Sequence, residues 1–178
     1  AHDRIAHAAM HDGLTGALNN QAFTLALERA LTDGAGGGYP IALLFLDLDG
    51  FKAVNDALGH AAGDEKLRLV SRTVARCCRD RDVVGRVGGD EFAVVLNGVA
   101  GTAQAEDLAT SIIRCVDEEQ GTGGGPRVGC SIGIALAEPG LLDARALLRR
   151  ADAAMYVSKR RGRNGYQVYL ESMPAIAG

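Results

Sequence analysis

Two stretches of this 178-residue chain put carboxylates where carboxylates are costly. The run "IALLFLDLD" at 41–49 is apolar almost throughout and then ends in Asp47 and Asp49. Two residues apart on a strand, they point to the same side of a sheet. The second stretch, "RVGGDEF" at 86–92, runs Gly88 and Gly89 straight into Asp90 and Glu91. Its flanks, "DVVGRV" and "AVVL", read as the two strands of a hairpin. Each feature alone has a bland account: acids solvated at a strand mouth or paired with Lys52, and an ordinary glycine–aspartate turn. Together they are more specific. A buried strand ending in two carboxylates is unfavourable unless something cationic is near. Two glycines can take the positive φ angles of a tight I′ turn and let a phosphate approach backbone N–H groups. Asp90 and Glu91 alternate in direction, so at least one should face the Asp47 end. Carboxylates from two strands beside a glycine turn make an oxygen-rich site suited to Mg²⁺ or Mn²⁺.

Positioning these groups requires a sheet and its supports. Residues 1–10 read as the end of a helix and 12–20 as a turn-rich connection. The spacing of Phe23, Leu25, Leu27 and Leu31 predicts an amphipathic helix over 20–31, followed by a glycine-rich exposed loop over 32–40. The strand at 41–49 is apolar on both faces and belongs at the centre of a sheet. Leu67, Val70, Val74 and Cys77 predict a helix from Asp64 to about Cys78. After the hairpin come a helix at 103–118, a loop at 118–127 and a strand at 127–137. A helix over 143–160 turns Leu147, Leu148, Ala151, Ala154 and Met155 inward, and a short edge strand covers 166–170. Helices and strands alternate, but the hairpin is antiparallel. The fold class is therefore α+β, a mixed central sheet of about five strands flanked by helices.

Bulk composition narrows the function classes. With 47% hydrophobic and 23% charged residues, the chain reads as one soluble globular domain. Only 4% of residues are aromatic and none is tryptophan, which argues against a platform for stacking single-stranded nucleic acid. A net charge of −3 argues against a duplex-binding surface. Cys77, Cys78, Cys115 and Cys130 form no CxxC pair and read as buried reduced thiols of a cytosolic protein. The longest clean apolar run, 41–46, is too short to cross a bilayer. The expected location is cytoplasmic, with no membrane or nucleic-acid contact by this domain itself, as part of a larger and even membrane-anchored protein.

"RVGGDEF" together with "FLDLDGFKAVNDALGHAAGDEKL" strongly resembles the GGDEF-domain diguanylate cyclases, a fold similar to nucleotidyl cyclases and polymerase palms. The resemblance continues in "DGLTGALNN" near the start and "ADAAMYVSKRRGRNGYQVY" near the end, so four motifs stand in order over roughly residues 11–170. It implies condensation of two GTP into cyclic di-GMP with loss of two pyrophosphates. By this resemblance Asp47, the Leu48 carbonyl, Asp90 and the supporting Glu91 hold two divalent ions per active site. Gly88 and Gly89 form the turn against the nucleotide, and Gly50 and Phe51 offer N–H groups to its phosphates. Lys52, Lys159 and Arg163 reach phosphate, while Asn55 and Asp64 bond the guanine edge. Lys52, Asp90 and Glu91 carry the catalytic roles, with Asp90 best placed to take the proton of the attacking 3′-hydroxyl.

The same resemblance implies a two-fold homodimer, because each 3′-hydroxyl must attack the nucleotide held by the other domain. It also implies an upstream sensor or coiled coil acting through the N-terminal helix, and residues 12–172 as the catalytic domain between a linker helix (1–11) and a tail (173–178). Arg79 and Asp82, in "RDRD", match the family's product-inhibition site for cyclic di-GMP; without the resemblance they read as a charged helix end. The early motif departs from the family in reading "NNQ" at 19–21, where an Arg usually follows the Asn. His7 and His11, spaced i, i+4, lack a third metal ligand and read as solvated, as does His2; His60 reads as ordering its loop and Arg86 as bracing the hairpin or a neighbour. The rival readings are a catalytically silent GGDEF module that binds GTP or cyclic di-GMP for an attached domain, and another nucleotidyl-cyclase or palm chemistry.

Overall fold

The computed structural model describes residues 9–35, 40–122, 125–137, 140 and 143–173. In chain order the elements are α1 (Asn20–Ala35), β1 (Ile41–Asp49), α2 (Phe51–Leu58), α3 (His60–Cys77), β2 (Val83–Arg86) and β3 (Glu91–Asn97). They continue with α4 (Ala103–Glu119), β4 (Gly129–Leu136), α5 (Ala144–Arg160) and β5 (Gly165–Val168). The sheet order is β2-β3-β1-β4-β5. Pairing is antiparallel from β2 to β4, and β5 lies parallel to β4. The mixed α+β sheet with β1 at its centre agrees with the expectation from sequence.

Period-2 alternation along β1 builds two cores. Leu44, Leu46 and Leu48 pack on one face with Val54 of α2, Val70 and Val74 of α3, and Ile112 and Val116 of α4. Ile41 and Leu43 face the other way, against Phe23 and Leu27 of α1 and Leu147 and Ala151 of α5. Each fully buried Leu, Ile or Phe contributes roughly 1.5–3 kcal/mol of transfer free energy. Asp47 and Asp49 continue the alternation on the second face, which is why they emerge under α5.

The boundaries differ in instructive ways. α1 runs to Ala35 rather than residue 31. The segment between β1 and Asp64, given no element from sequence, contains α2, and α3 begins at His60. The two helices are separated at Gly59, whose φ of 84° is left-handed. β4 is shorter than expected, Asp143 caps α5 through Arg145 N instead of joining it, and β5 starts one residue earlier and ends at Val168. Of residues 1–10, only 9 and 10 are described, and both are helical. Cys130 alone of the four thiols is fully buried; Cys77, Cys78 and Cys115 are half-buried. That corrects the expectation of four buried thiols, because the C-terminal end of α3 and the flank of α4 lie at the rim of the core. All four are free.

α5 lies close on the sheet because β4 carries Gly133 beneath it. A Cβ at Gly133 would overlap the Ala151 carbonyl oxygen and the Met155 amide nitrogen, both backbone atoms. Overpacking costs typically 1–3 kcal/mol, and here no side chain can move aside. Gly133→Ala should therefore lose about 3 kcal/mol in urea unfolding. A loss under about 0.5 kcal/mol would show that α5 is free to slide.

Candidate active site

The site forms where β1 ends. Asp49 is almost buried, and Ser131 Oγ donates to its carboxylate at 2.8 and 2.9 Å. The Asn164 amide donates to the same carboxylate at 2.9 Å, and Arg163 Nε stands 3.9 Å away. Asp47 is held differently. Lys159 Nζ, from the last turn of α5, lies 2.8 Å from Asp47 Oδ1. That buried oxygen has the ammonium beside it and, among the described residues, no backbone or hydroxyl donor.

Across the strand pair Glu91 stands opposite Asp47, and the Leu48 amide donates to the Asp90 carbonyl at 3.1 Å. The hairpin thus delivers Asp90 and Glu91 beside Asp47, and Glu91 is the one on its face. The turn is not the tight I′ form. Neither Gly88 nor Gly89 has positive φ. The Val87 amide reaches the Glu91 carbonyl at 2.9 Å and Gly88 does so at 3.3 Å, which leaves a wider loop. A Cβ at Gly88 would overlap Glu91 Oε2 and displace that carboxylate; Gly89 is exposed with open space around it.

Burial pushes the Asp47 carboxyl above its ordinary range; Lys159 opposes the shift, and the charges of Asp90 and Asp49 add to it. Glu91 is raised by burial first and then by Asp47 and Asp90. These are the electrostatics of acids short of positive charge. Among the described residues, no three His, Cys, Asp or Glu side chains gather as a ready-made metal cage. The donor set nevertheless fits a hard divalent ion: carboxylate oxygens from two strands, one of them buried with only an ammonium against it.

The other expected residues fall into two groups. Gly50 sits at the N-terminus of α2 with φ 78°, where a Cβ would stand 3.2 Å from the Arg127 carbonyl oxygen. This left-handed residue turns the chain directly from β1 into α2, whose first turn carries Phe51 and an exposed Lys52. Helix-start N–H groups lack intrahelical partners and suit an anion. Asn55 and Asp64 are both half-buried, and Gly63, next to Asp64 in the chain, is so close to Asn55 that a Cβ would overlap its Oδ1. Arg79 and Asp82 stand apart from all of these. The Asp82 side chain is fully buried; it accepts from the Arg79 amide at 2.9 Å, Arg79 Nε at 3.1 Å and the Asn97 amide at 3.1 Å. They line a surface cavity of about 300 Å³ with Cys77, Gln104, Asp107 and Ser111. Asn97 ends β3 and Glu91 begins it, so this cavity lies ~20 Å from the acids.

Four residues of the site have no assigned role in the sequence reading. Ser131 and Asn164 fix Asp49, and their distance along the chain hides the relation. Asp152 is half-buried; burial raises its carboxyl while Lys159, seven residues on, lowers it. That i, i+7 spacing on α5 was the available signal. Asp12 meets Arg86 Nη1 at 3.1 Å, and the same guanidinium donates to the Gly89 carbonyl at 2.7 and 3.1 Å. Arg86 does brace the hairpin, and it ties it to the N-terminal turn. Burial pushes the Asp12 carboxyl up, but the bonds from Thr15 and Arg86 outweigh it and hold the group below its ordinary range. Asn19 caps α1 by accepting from the Ala22 amide at 3.0 Å. His11 Nδ1 lies 2.8 Å from the Gly16 carbonyl oxygen, while His2 and His7 fall outside the described residues.

The family model described as diguanylate cyclase, GGDEF domain, matches residues 9–165. The chain is 42% identical over 174 residues to diguanylate cyclase TpbB of Pseudomonas aeruginosa, covering 97% of this chain and 40% of that protein. It therefore spans well under half the length of that relative. The isolated GGDEF domain of TpbB (YfiN) from the same species superposes with a TM-score of 0.81 at 39% identity, over 90% of this chain and 94% of that one. The coiled coil and GGDEF domain of DgcB from Caulobacter crescentus, solved in complex with c-di-GMP, gives 0.82 at 33% identity, over 93% and 88%. With the hairpin acids, the β1 aspartates and the α5 lysine in one place, the chain belongs to the diguanylate cyclase GGDEF domain family.

Proposed function

We propose that residues 12–172 form a catalytic half-site, two of which together condense two GTP into cyclic di-GMP. The observation that carries this reading is the convergence of Asp47, Asp90, Glu91 and Lys159 at one sheet end, all intact. A silent module would have no need to retain this cluster. Asn55 and Asp64 accept and donate along the guanine edge, where a carboxylate takes N1–H and N2–H₂ together and adenine offers no such pair. The N–H groups of Gly50 and Phe51, with Lys52, Lys159 and Arg163, bind the triphosphate and stabilise charge on the departing pyrophosphate. Asp47, the Leu48 carbonyl, Asp90 and Glu91 would hold Mg²⁺ or Mn²⁺, two ions per site, which supply Lewis-acid polarisation of the α-phosphorus and of the attacking hydroxyl.

Each 3′-hydroxyl forms a bond to the α-phosphorus of the other nucleotide as the bond to pyrophosphate breaks. Its proton passes to the Asp90–Glu91 carboxylates, with Asp90 the principal acceptor. Because one half-site holds one GTP, two copies must face each other about a two-fold axis, and control of that pairing by an upstream helix or coiled coil is the natural form of regulation. Arg79 and Asp82, at the far end of β3, are the product-inhibition site, where the guanidinium grips cyclic di-GMP phosphate and guanine.

Incubating concentrated protein with GTP and Mg²⁺, followed by nucleotide chromatography, should yield cyclic di-GMP; none at concentrations that force dimers would sink the reading. Asp90→Ala should cut turnover at least ~100-fold with an unchanged circular dichroism spectrum, and substantial residual product would refute its role. Arg79→Ala should leave initial rates near wild type and abolish inhibition by added cyclic di-GMP, an outcome read from progress curves; unchanged inhibition removes that site.

A further inference from the structure

Lys159 is set among more negative charge than one ammonium balances. Its Nζ meets Asp47 at 2.8 Å, and its charge also acts on Glu91 and on Asp152. The other cation of this turn, Arg163, is turned towards Asp49 and is mostly exposed. The Lys159 ammonium is the one cation against this buried Asp47 oxygen, which no fixed backbone or hydroxyl donor reaches among the described residues. Asp49, by contrast, is fixed by Ser131 and the Asn164 amide. One aspartate is locked, and its neighbour is neutralised by a flexible four-carbon arm from a helix end.

We propose that Lys159 is an exchangeable counter-ion, an ammonium that stands in the place of the divalent ion at Asp47 until nucleotide draws it away. This rests on the cyclase reading above. In the free protein a metal ion must displace the ammonium from a buried oxygen, which makes metal binding weak. A triphosphate gives Lys159 another anion and vacates Asp47, so nucleotide and metal bind cooperatively. By linkage each raises the affinity of the other by the same factor. The arrangement also keeps the half-buried acids compensated between turnovers and disfavours metal loading without substrate.

The test reads metal binding directly, by electron paramagnetic resonance of free Mn²⁺ titrated with protein, with and without an α,β-methylene analogue of GTP. Wild type should bind Mn²⁺ weakly alone. Lys159→Met should bind it at least ~10-fold more tightly without nucleotide, and the analogue should then raise its affinity by a smaller factor than in wild type. Arg163→Met, which removes an equal charge from the same turn, should change nucleotide-free affinity less than ~3-fold. Equal gains in the two variants, or no gain in Lys159→Met while wild type binds Mn²⁺ with the analogue, overturns the counter-ion role and leaves the cyclase reading standing. No Mn²⁺ binding by any form with the analogue overturns both. If Lys159→Met is unfolded in metal-free buffer, millimolar Mn²⁺ should refold it; a chain that stays unfolded shows that metal cannot replace the ammonium, and the proposal fails.

Discussion

The rest of the structure depends on how two aspartates are accommodated at the end of a strand buried on both faces. β1 has a paired strand on each side and helices above and below, so its last carboxylates cannot reach bulk water freely. The effective penalty for removing an ion from water is several kcal/mol, and hydrogen bonds to a charged group return about 1.5–3 kcal/mol each. Asp49 meets this with two fixed donors, and an arginine nearby. Asp47 meets it with an ammonium, and no fixed donor reaches the buried oxygen among the described residues. The same physical problem thus has a rigid solution and a movable one, two residues apart.

The rigid solution explains the odd backbone after α5. Arg163 and Asn164 both have positive φ, 62° and 45°, although neither is glycine. Such conformations cost of order 1–3 kcal/mol each and persist only where the surroundings over-determine them. Here they do: the Asn164 amide holds Asp49, Asn164 Oδ1 accepts from the Cys130 amide at 3.2 Å, and Ser158 Oγ donates to the Gly165 carbonyl at 2.8 Å. The turn thereby joins α5, β1 and β4 and fixes where the Lys159 arm starts. At the other side Arg86 gives the hairpin a comparable anchor, since one guanidinium bonds both the Gly89 carbonyl and Asp12.

The parts of this arrangement legible in the sequence are those with strong local signals. β1 is an uninterrupted apolar run, and α5 and α4 have clean helical spacing, so the central strand and its two carboxylates were readable. α2 was not, because it buries only Val54 and its eight residues are too few to establish a period. The glycine pair pointed to a two-residue turn, but Val87 still bonds to Glu91, and the clash at Gly88 is with a side chain three residues on. That is a question of space rather than of φ, which a dipeptide preference cannot reveal. Ser131, Asn164 and Asp12 were invisible as site residues because their partners are 74 to 115 residues away along the chain. The family resemblance carried the assignment of Asn55, Asp64 and Arg79, where periodicity and composition were silent.

β3 links the two ends of this design. It begins at Glu91 beside Asp47 and ends at Asn97, whose amide bonds the buried Asp82 and whose carbonyl accepts from Arg79 Nη2 at 3.0 Å. Between these points the strand is buried and hydrogen-bonded to β1 and β2. Close-packed interiors deform little, and a strand paired on both sides cannot change register without turning its side chains to the wrong face. A ligand at Arg79 therefore has no soft route along β3 by which to rearrange the acids. On the reading proposed above, inhibition through Arg79 would work by occupying a surface and holding whole domains in a non-productive arrangement, as a reaction divided between two half-sites would allow.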